Sequence, residues 1–207
     1  LNIYLNNINF SSGNETHEFP HFYAEIYDEN GINTAGTGIG HDLVMVIDND
    51  AKQTYVLNPY FQAKNNSYQE GRVSYKMAEQ QEGSHTLTFR AWDLHNNSSS
   101  ASLNFQVVKG LDPQLYSITT YPNPATTTDV LNILIEHDRP DEIVESTIYL
   151  YNLNGQMVHA QTQKGNNLIQ WNLGEINTPA GIYVYQAKIK TTTSNFTSKA
   201  GKVIITQ

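Results

Sequence analysis

The sequence predicts an all-β protein built as two consecutive β-sandwich, immunoglobulin-like domains. Three observations carry this. Short segments in which apolar and polar residues alternate recur throughout, no stretch of useful length repeats at the 3.6-residue period of a helix, and clusters of Gly, Pro, Asn and Asp separate the segments. The 13 Tyr and 7 Phe agree, because aromatic side chains fit pleated, half-buried surfaces.

The first domain is expected over residues 1–110. LNIYLNNINF mixes apolar and polar positions as an edge strand does, and residues 11–20 read as loop. HFYAEIYD puts Phe22, Ala24 and Ile26 on one face and Tyr23, Glu25 and Tyr27 on the other, the period of two of a strand. Residues 28–42, DENGINTAGTGIGHD, hold four glycines among turn-forming Asp and Asn, so regular structure is excluded over most of that length. LVMVID, TYVL, RVSYKMA, SHTLTFRAWD and ASLNFQVV follow, with Leu87, Phe89 and Ala91, then Leu103, Phe105 and Val107, facing inward. About seven short strands in roughly 108 residues suit an immunoglobulin-like sandwich.

KGLDPQ (residues 109–114) has the composition of a linker. The second domain, residues 111–207, is led in by SITTYPNP and continues through LNILIEH, STIYLYN, QMVHAQT, NLIQWNL, GIYVYQAKI and KVIIT. Asn154-Gly155 is the best hairpin signal, read as a two-residue type I′ turn in which both residues take positive φ. Residues 178–207 combine a Pro-Gly turn, an aromatic strand and a lysine-flanked strand close to the C-terminus. A strand in that position implies that the domain closes only when the whole chain is present.

Charge excludes several functions. The net charge is −8; residues 1–110 hold 6 Lys and Arg against 12 Asp and Glu, and residues 111–207 hold 6 against 8. Neither half offers the cationic surface that nucleic acid demands. No 18-residue apolar run exists, so no transmembrane helix is expected. Cysteine is absent, which removes disulfides, thiolate metal sites and any Cys nucleophile from this chain. A start at Leu1 without Met or an apolar leader reads as a processed or excised piece.

Few constellations carry chemistry. GTGIGHD (residues 36–42) resembles a phosphate cradle only in its glycines, because a strand rather than a helix follows. Asp28, Asn30, Asp42, Asp48 and Asp50, with Asn33, supply hard oxygen donors and are the candidates for Ca²⁺. The EF-hand spacing is missing, however, and the same residues serve as turn formers. His17, His21, His41, His85 and His95 show no metal-ligand spacing; His41 and His85 are placed to support Asp42 or Asp93. Trp92 reads as a core anchor. The second half holds no catalytic set.

The second half resembles the type IX secretion C-terminal sorting domain through YPNP, IYLYNLNGQMV, PAGIYVYQAKI and a terminal K-x-G-K-V-I-I. The first half is similar to the region preceding that domain in the type IX sortase, the PorU family of gingipain-type cysteine peptidases. The residues are AEIYDENGINTAGTGIGHDLVMVIDND, VLNPYF, GRVSYKM and GSHTLTFRAWDLHNNSS. The resemblance implies a parent that removes sorting domains from cargo, joins the cargo to lipopolysaccharide and keeps its own sorting domain at the cell surface of a Gram-negative bacterium. The peptidase's Cys and His dyad would lie upstream, so this chain is expected to be non-catalytic.

By the same resemblance, Pro179, Gly181 and Tyr183 set the strand geometry of the signal, and Lys199, Lys202, Val203 and Ile205 form its recognised end. The implied partners are the type IX translocon, an outer-membrane attachment complex with a PorV-like barrel, and the parent's own peptidase domain. The other reading is the spacer or binding module and sorting domain of an ordinary type IX secreted adhesin or hydrolase.

Overall fold

The computed structural model describes residues 1–35, 40–65, 67–139, 142, 144–191 and 195–207. Two compact units divide the chain, Leu1–Leu111 and Asp112–Gln207. Both are built from β-strands, with no α-helix among the described residues.

Unit 1 contains β1 (Asn2–Leu5), β2 (Glu15–Thr16), β3 (His21–Tyr27), β4 (Val44–Ile47), β5 (Thr54–Val56), β6 (Phe61–Ala63), β7 (Glu70–Lys76), β8 (Gly83–Trp92) and β9 (Ser98–Val107). One sheet runs β1-β3-β7-β6 and the other β2-β9-β8-β4-β5. The expected alternation holds: Phe22, Ala24 and Ile26 from β3, Leu87, Phe89 and Ala91 from β8, and Leu103, Phe105 and Val107 from β9 share one core. Trp92 does not join it. With Ala91 facing inward, alternation turns Trp92 to the opposite face, where the His41 ring lies 4.4 Å away and the Arg90 guanidinium 5.4 Å from its centroid.

Nine strands replace the expected seven because β2 and β6, two and three residues long, carry no readable period. β2 fastens parallel to the end of β9 through Glu15 and Thr16. Of the glycine-rich loop, residues 36–39 lie outside the described residues.

Unit 2 contains β10 (Leu115–Tyr121), β11 (Ala125–Thr126), β12 (Val130–His137), β13 (Glu145–Asn152), β14 (Met157–Lys164), β15 (Leu168–Asn172), β16 (Gly181–Lys190), β17 (Asn195–Thr197) and β18 (Gly201–Thr206). A three-stranded sheet, β10-β12-β15, faces a six-stranded one ordered β11-β18-β16-β13-β14, with β17 also paired to β16. Their inner faces meet over Leu131, Ile133, Trp171, Ile148, Leu150 and Ile189. The lead-in SITTY is itself the strand β10, paired with β12 along its length.

β13 and β14 form the expected hairpin, but the turn is of another type. Gly155 alone has positive φ, 77°. The Gly155 N–H donates to Asn152 O (3.0 Å) and Gln156 closes on Asn152, giving a three-residue loop with a type I turn and a glycine in the left-handed region. The Asn152 side chain accepts from both the Asn154 and Gln156 N–H groups at 3.0 Å, which favours this turn over type I′.

The cores share no residue. Phe89 is fully buried in unit 1, so Phe89→Ala should cost that unit about 3–5 kcal/mol. Calorimetry should show the unit 1 transition moving down while that of unit 2 stays; a joint shift would contradict separate cores.

Candidate functional site

The last strand of the chain lies inside its sheet. β18 pairs antiparallel with β16, from Gly181 against Ile205 to Tyr185 against Gly201. On its other side β11 adds two parallel pairs, Ala125 with Ile205 and Thr126 with Thr206. Between Tyr121 and β11 stands the YPNP motif, with both X-Pro bonds cis. Its asparagine completes the edge. The Asn123 Nδ2 donates to Lys202 O (3.0 Å) and Asn123 Oδ1 accepts from the Ile204 N–H (3.0 Å). One side-chain amide thus pairs with a strand as a backbone peptide would. The Thr127 N–H donates to Thr206 O at 3.0 Å, extending the clamp to the end of β18.

The aromatic strand explains two further motif positions. The Tyr183 hydroxyl donates to Pro179 O (2.7 Å) and closes the turn that launches β16. Gly181 has an ordinary φ there, and a Cβ would make ordinary contact with the Tyr183 ring. Gly201 is required by close approach: a Cβ there would collide with the Tyr185 ring. That ring crosses the core, its hydroxyl donates to Ile118 O of the facing sheet (3.2 Å), and burial pushes its phenol above the ordinary value. Ser198 seats the segment before β18: the Ala187 N–H donates to its Oγ (2.9 Å), and its own N–H donates to Ala187 O.

The residues named from sequence therefore separate into two groups. Tyr183, Val203 and Ile205 are core side chains, whereas Pro179, Lys199 and Lys202 face solvent. Asn123, Tyr185, Ser198 and Gly201 were not singled out as site residues. The glycine and serine beside the terminal lysines, and an asparagine held between two prolines, were the available signals.

The calcium candidates are not gathered. β4 separates Asp42 from Asp48, and six residues of extended chain span about 20 Å. Asp42 lies at the Arg90 end of β8 and Asp48 at the Thr86 end. Asp28 accepts from the Asn30 N–H and Asp50 from the Lys52 N–H, so both serve their own turns. Among the described residues, no three His, Asp or Glu side chains could hold a metal ion. His85, expected near Asp42 or Asp93, instead bonds Asp48 Oδ2 and Gln81 O, each at 2.7 Å. Burial raises the Asp48 carboxyl, but hydrogen bonds from the Thr86 N–H and from His85 outweigh it and hold it below its ordinary value.

One charged cluster was missed. Arg139 Nη1 donates to Asp138 Oδ2 (2.6 Å) and its Nε meets Glu142 at 3.3 Å, with Asp138 and Arg139 both buried. The Gln114 N–H donates to Asp138 Oδ1 (2.8 Å), so the pair anchors the start of unit 2. Burial raises the Asp138 carboxyl against the pull of Arg139, and burial lowers His137 beside it. Buried in this way, Asp138 and Arg139 position backbone at the start of unit 2.

The chain is thus two β-sandwiches in succession, and in the second the lead-in motif and the last strand clamp one another. Residues 119–206, nearly all of unit 2, match the family model of the secretion system C-terminal sorting domain. Over its whole length the chain is similar to dimeric latent PorU from Porphyromonas gingivalis, at 29% identity and a TM-score of 0.56. That alignment covers 99% of this chain and 20% of PorU, so the chain spans about a fifth of the PorU length. Weaker likenesses run to the fibronectin(III)-like modules of Clostridium thermocellum CbhA (10% identity, TM-score 0.33, 99% of this chain and 93% of that one). The D00-D0 domain of Intimin is similar at 16% identity and a TM-score of 0.34, with both chains covered fully. No curated protein matches the sequence.

Asn123→Ala exposes Lys202 O and the Ile204 N–H to water and should cost unit 2 about 0.5–1.5 kcal/mol, and Gly201→Ala, which displaces the Tyr185 ring, about 1–3 kcal/mol. Denaturant melts check both: wild-type stability in Asn123→Ala would remove the clamp, and in Gly201→Ala the close approach of the Tyr185 ring. For Asp48, whose folded value is depressed, the stabilisation is whole above the unfolded value of about 3.9 and is lost as pH falls through the folded value. Asp48→Asn should therefore flatten the acid-side fall in the unit 1 melting temperature; an unchanged slope would contradict the assignment.

Proposed function

We propose that the chain is the non-catalytic C-terminal part of a cell-surface sortase, a sandwich module followed by a sorting domain that the mature protein retains. The observation that carries this is the similarity to PorU across both units, since a sorting domain alone would match only the second. The peptidase chemistry belongs to a part of the parent outside this chain, which has no cysteine to act as nucleophile.

In this reading unit 2 takes the parent across the outer membrane and docks it at the cell surface through the type IX translocon and an attachment complex with a PorV-like barrel. The burial of Val203 and Ile205 supports recognition of a folded domain: those side chains reach a partner only if the sandwich opens. The clamp also argues against strand addition at β18, because Asn123 and β11 already occupy that edge.

Removing residues 202–207 from the full-length parent should leave it in the periplasm, as read by surface labelling and fractionation. Normal display would overturn the reading. The same truncation should abolish the unit 2 melting transition, since it deletes two core residues and the strand between Asn123 and β16.

A further inference from the structure

We propose that the outer face of the six-stranded sheet is a docking surface for a protein partner with an acidic rim, an inference that rests on the reading of unit 2 as a sorting module. Unit 2 is acidic overall, yet its lysines are segregated. Lys164 lies on β14, Lys188 and Lys190 on β16, and Lys202 on β18, whereas β10, β12 and β15 carry no lysine or arginine and β12 carries Glu136.

Alternation fixes which side these lysines take. Tyr183, Tyr185, Ala187 and Ile189 are buried, so Lys188 and Lys190 point outward, and buried Val203 and Ile205 turn Lys202 the same way. Glu145 is the one acidic residue on this face among the described residues, and Lys164 engages it at 2.9 Å. Lys188, Lys190 and Lys202 remain as the net positive charge of the face.

Between these lysines the same face is apolar and aromatic. Tyr149 and Tyr151 stack on β13, their centroids 6.4 Å apart. The pairing sets Tyr151 beside Val184 and Val184 beside Lys202, with Ile182 against Ile204 in the next row. Ile182 is 44% exposed, and the two tyrosines, Val184 and Ile204 are half-buried. An aromatic and aliphatic centre rimmed by charge is the anatomy of a protein–protein interface.

Charge selects the occupant. A second copy docked face to face about a two-fold axis would set lysine rows against each other, which is repulsive. Tyr149 and Tyr151 are half-buried, so a lipid surface would engage chiefly the lysines and leave the aromatic centre unmatched. A folded protein presenting carboxylates around an apolar patch satisfies both parts of the face.

The test uses the full-length protein in a type IX-competent host. Lys188→Glu/Lys190→Glu/Lys202→Glu should reduce the surface-displayed fraction about tenfold or more, as reversed rim charges do, while unit 2 melts as in the wild type. Thr119→Glu/Gln170→Glu, on the outer face of the other sheet, should leave display unchanged. If the triple variant melts early, Lys188→Ala/Lys190→Ala carries the same expectation more mildly.

Undiminished display by the folded charge variants would overturn the proposal. So would a wild-type dimer seen by light scattering that the reversal dissolves, or wild-type binding to phosphatidylglycerol–phosphatidylcholine vesicles that the reversal abolishes. Display that survives removal of residues 202–207 would instead sink the sorting reading itself, so the two failures are distinguishable.

Discussion

The organisation of unit 2 depends on one constraint: the strand that ends the chain must be held from both sides. β16 supplies one side through a regular ladder, and the YPNP asparagine with β11 supplies the other. These pieces lie about 80 residues apart in sequence, as the Asn123 to Ile204 bond measures directly with a separation of 81. Such long-range pairing closes late, because its loop entropy must be met before the contacts reward it. The domain is therefore complete only when its last residues are in place.

That constraint changes what the terminal motif means. Tyr183, Val203 and Ile205 read as parts of a linear signature, but their work is internal. Tyr183 closes a turn and also packs inward, Val203 and Ile205 fill the core, and Gly201 leaves room for Tyr185. What the motif offers to solvent is Lys199, Lys202 and the proline turn. Under the proposed reading such a signal acts as a folded surface, and damage to its buried half acts through stability.

Fold class was legible because alternation is a local property. Phe22-Ala24-Ile26, Leu87-Phe89-Ala91 and Leu103-Phe105-Val107 pack inward as their spacing required. The short edge strands were illegible for the converse reason, since two residues such as Ala125 and Thr126 have no period and pair only through tertiary context. Turn type failed where a side chain intervened: Asn154-Gly155 suited type I′, but Asn152 capped the loop into a type I turn. Trp92 shows that size misleads when parity decides the face, and the Asp28 to Asp50 set shows that neighbours in sequence part company across a strand. The clamp itself was hidden because Asn123 is read locally as part of a proline-rich lead-in.

Native-state hydrogen exchange across unit 2 tests the integral terminal strand most directly. If β18 belongs to the cooperative core, its amides open with the same free energy as those of β13 and β16, through global unfolding alone. Exchange of β18 at much lower cost, while β13 and β16 stay protected, would show a detachable tail and contradict the folded signal.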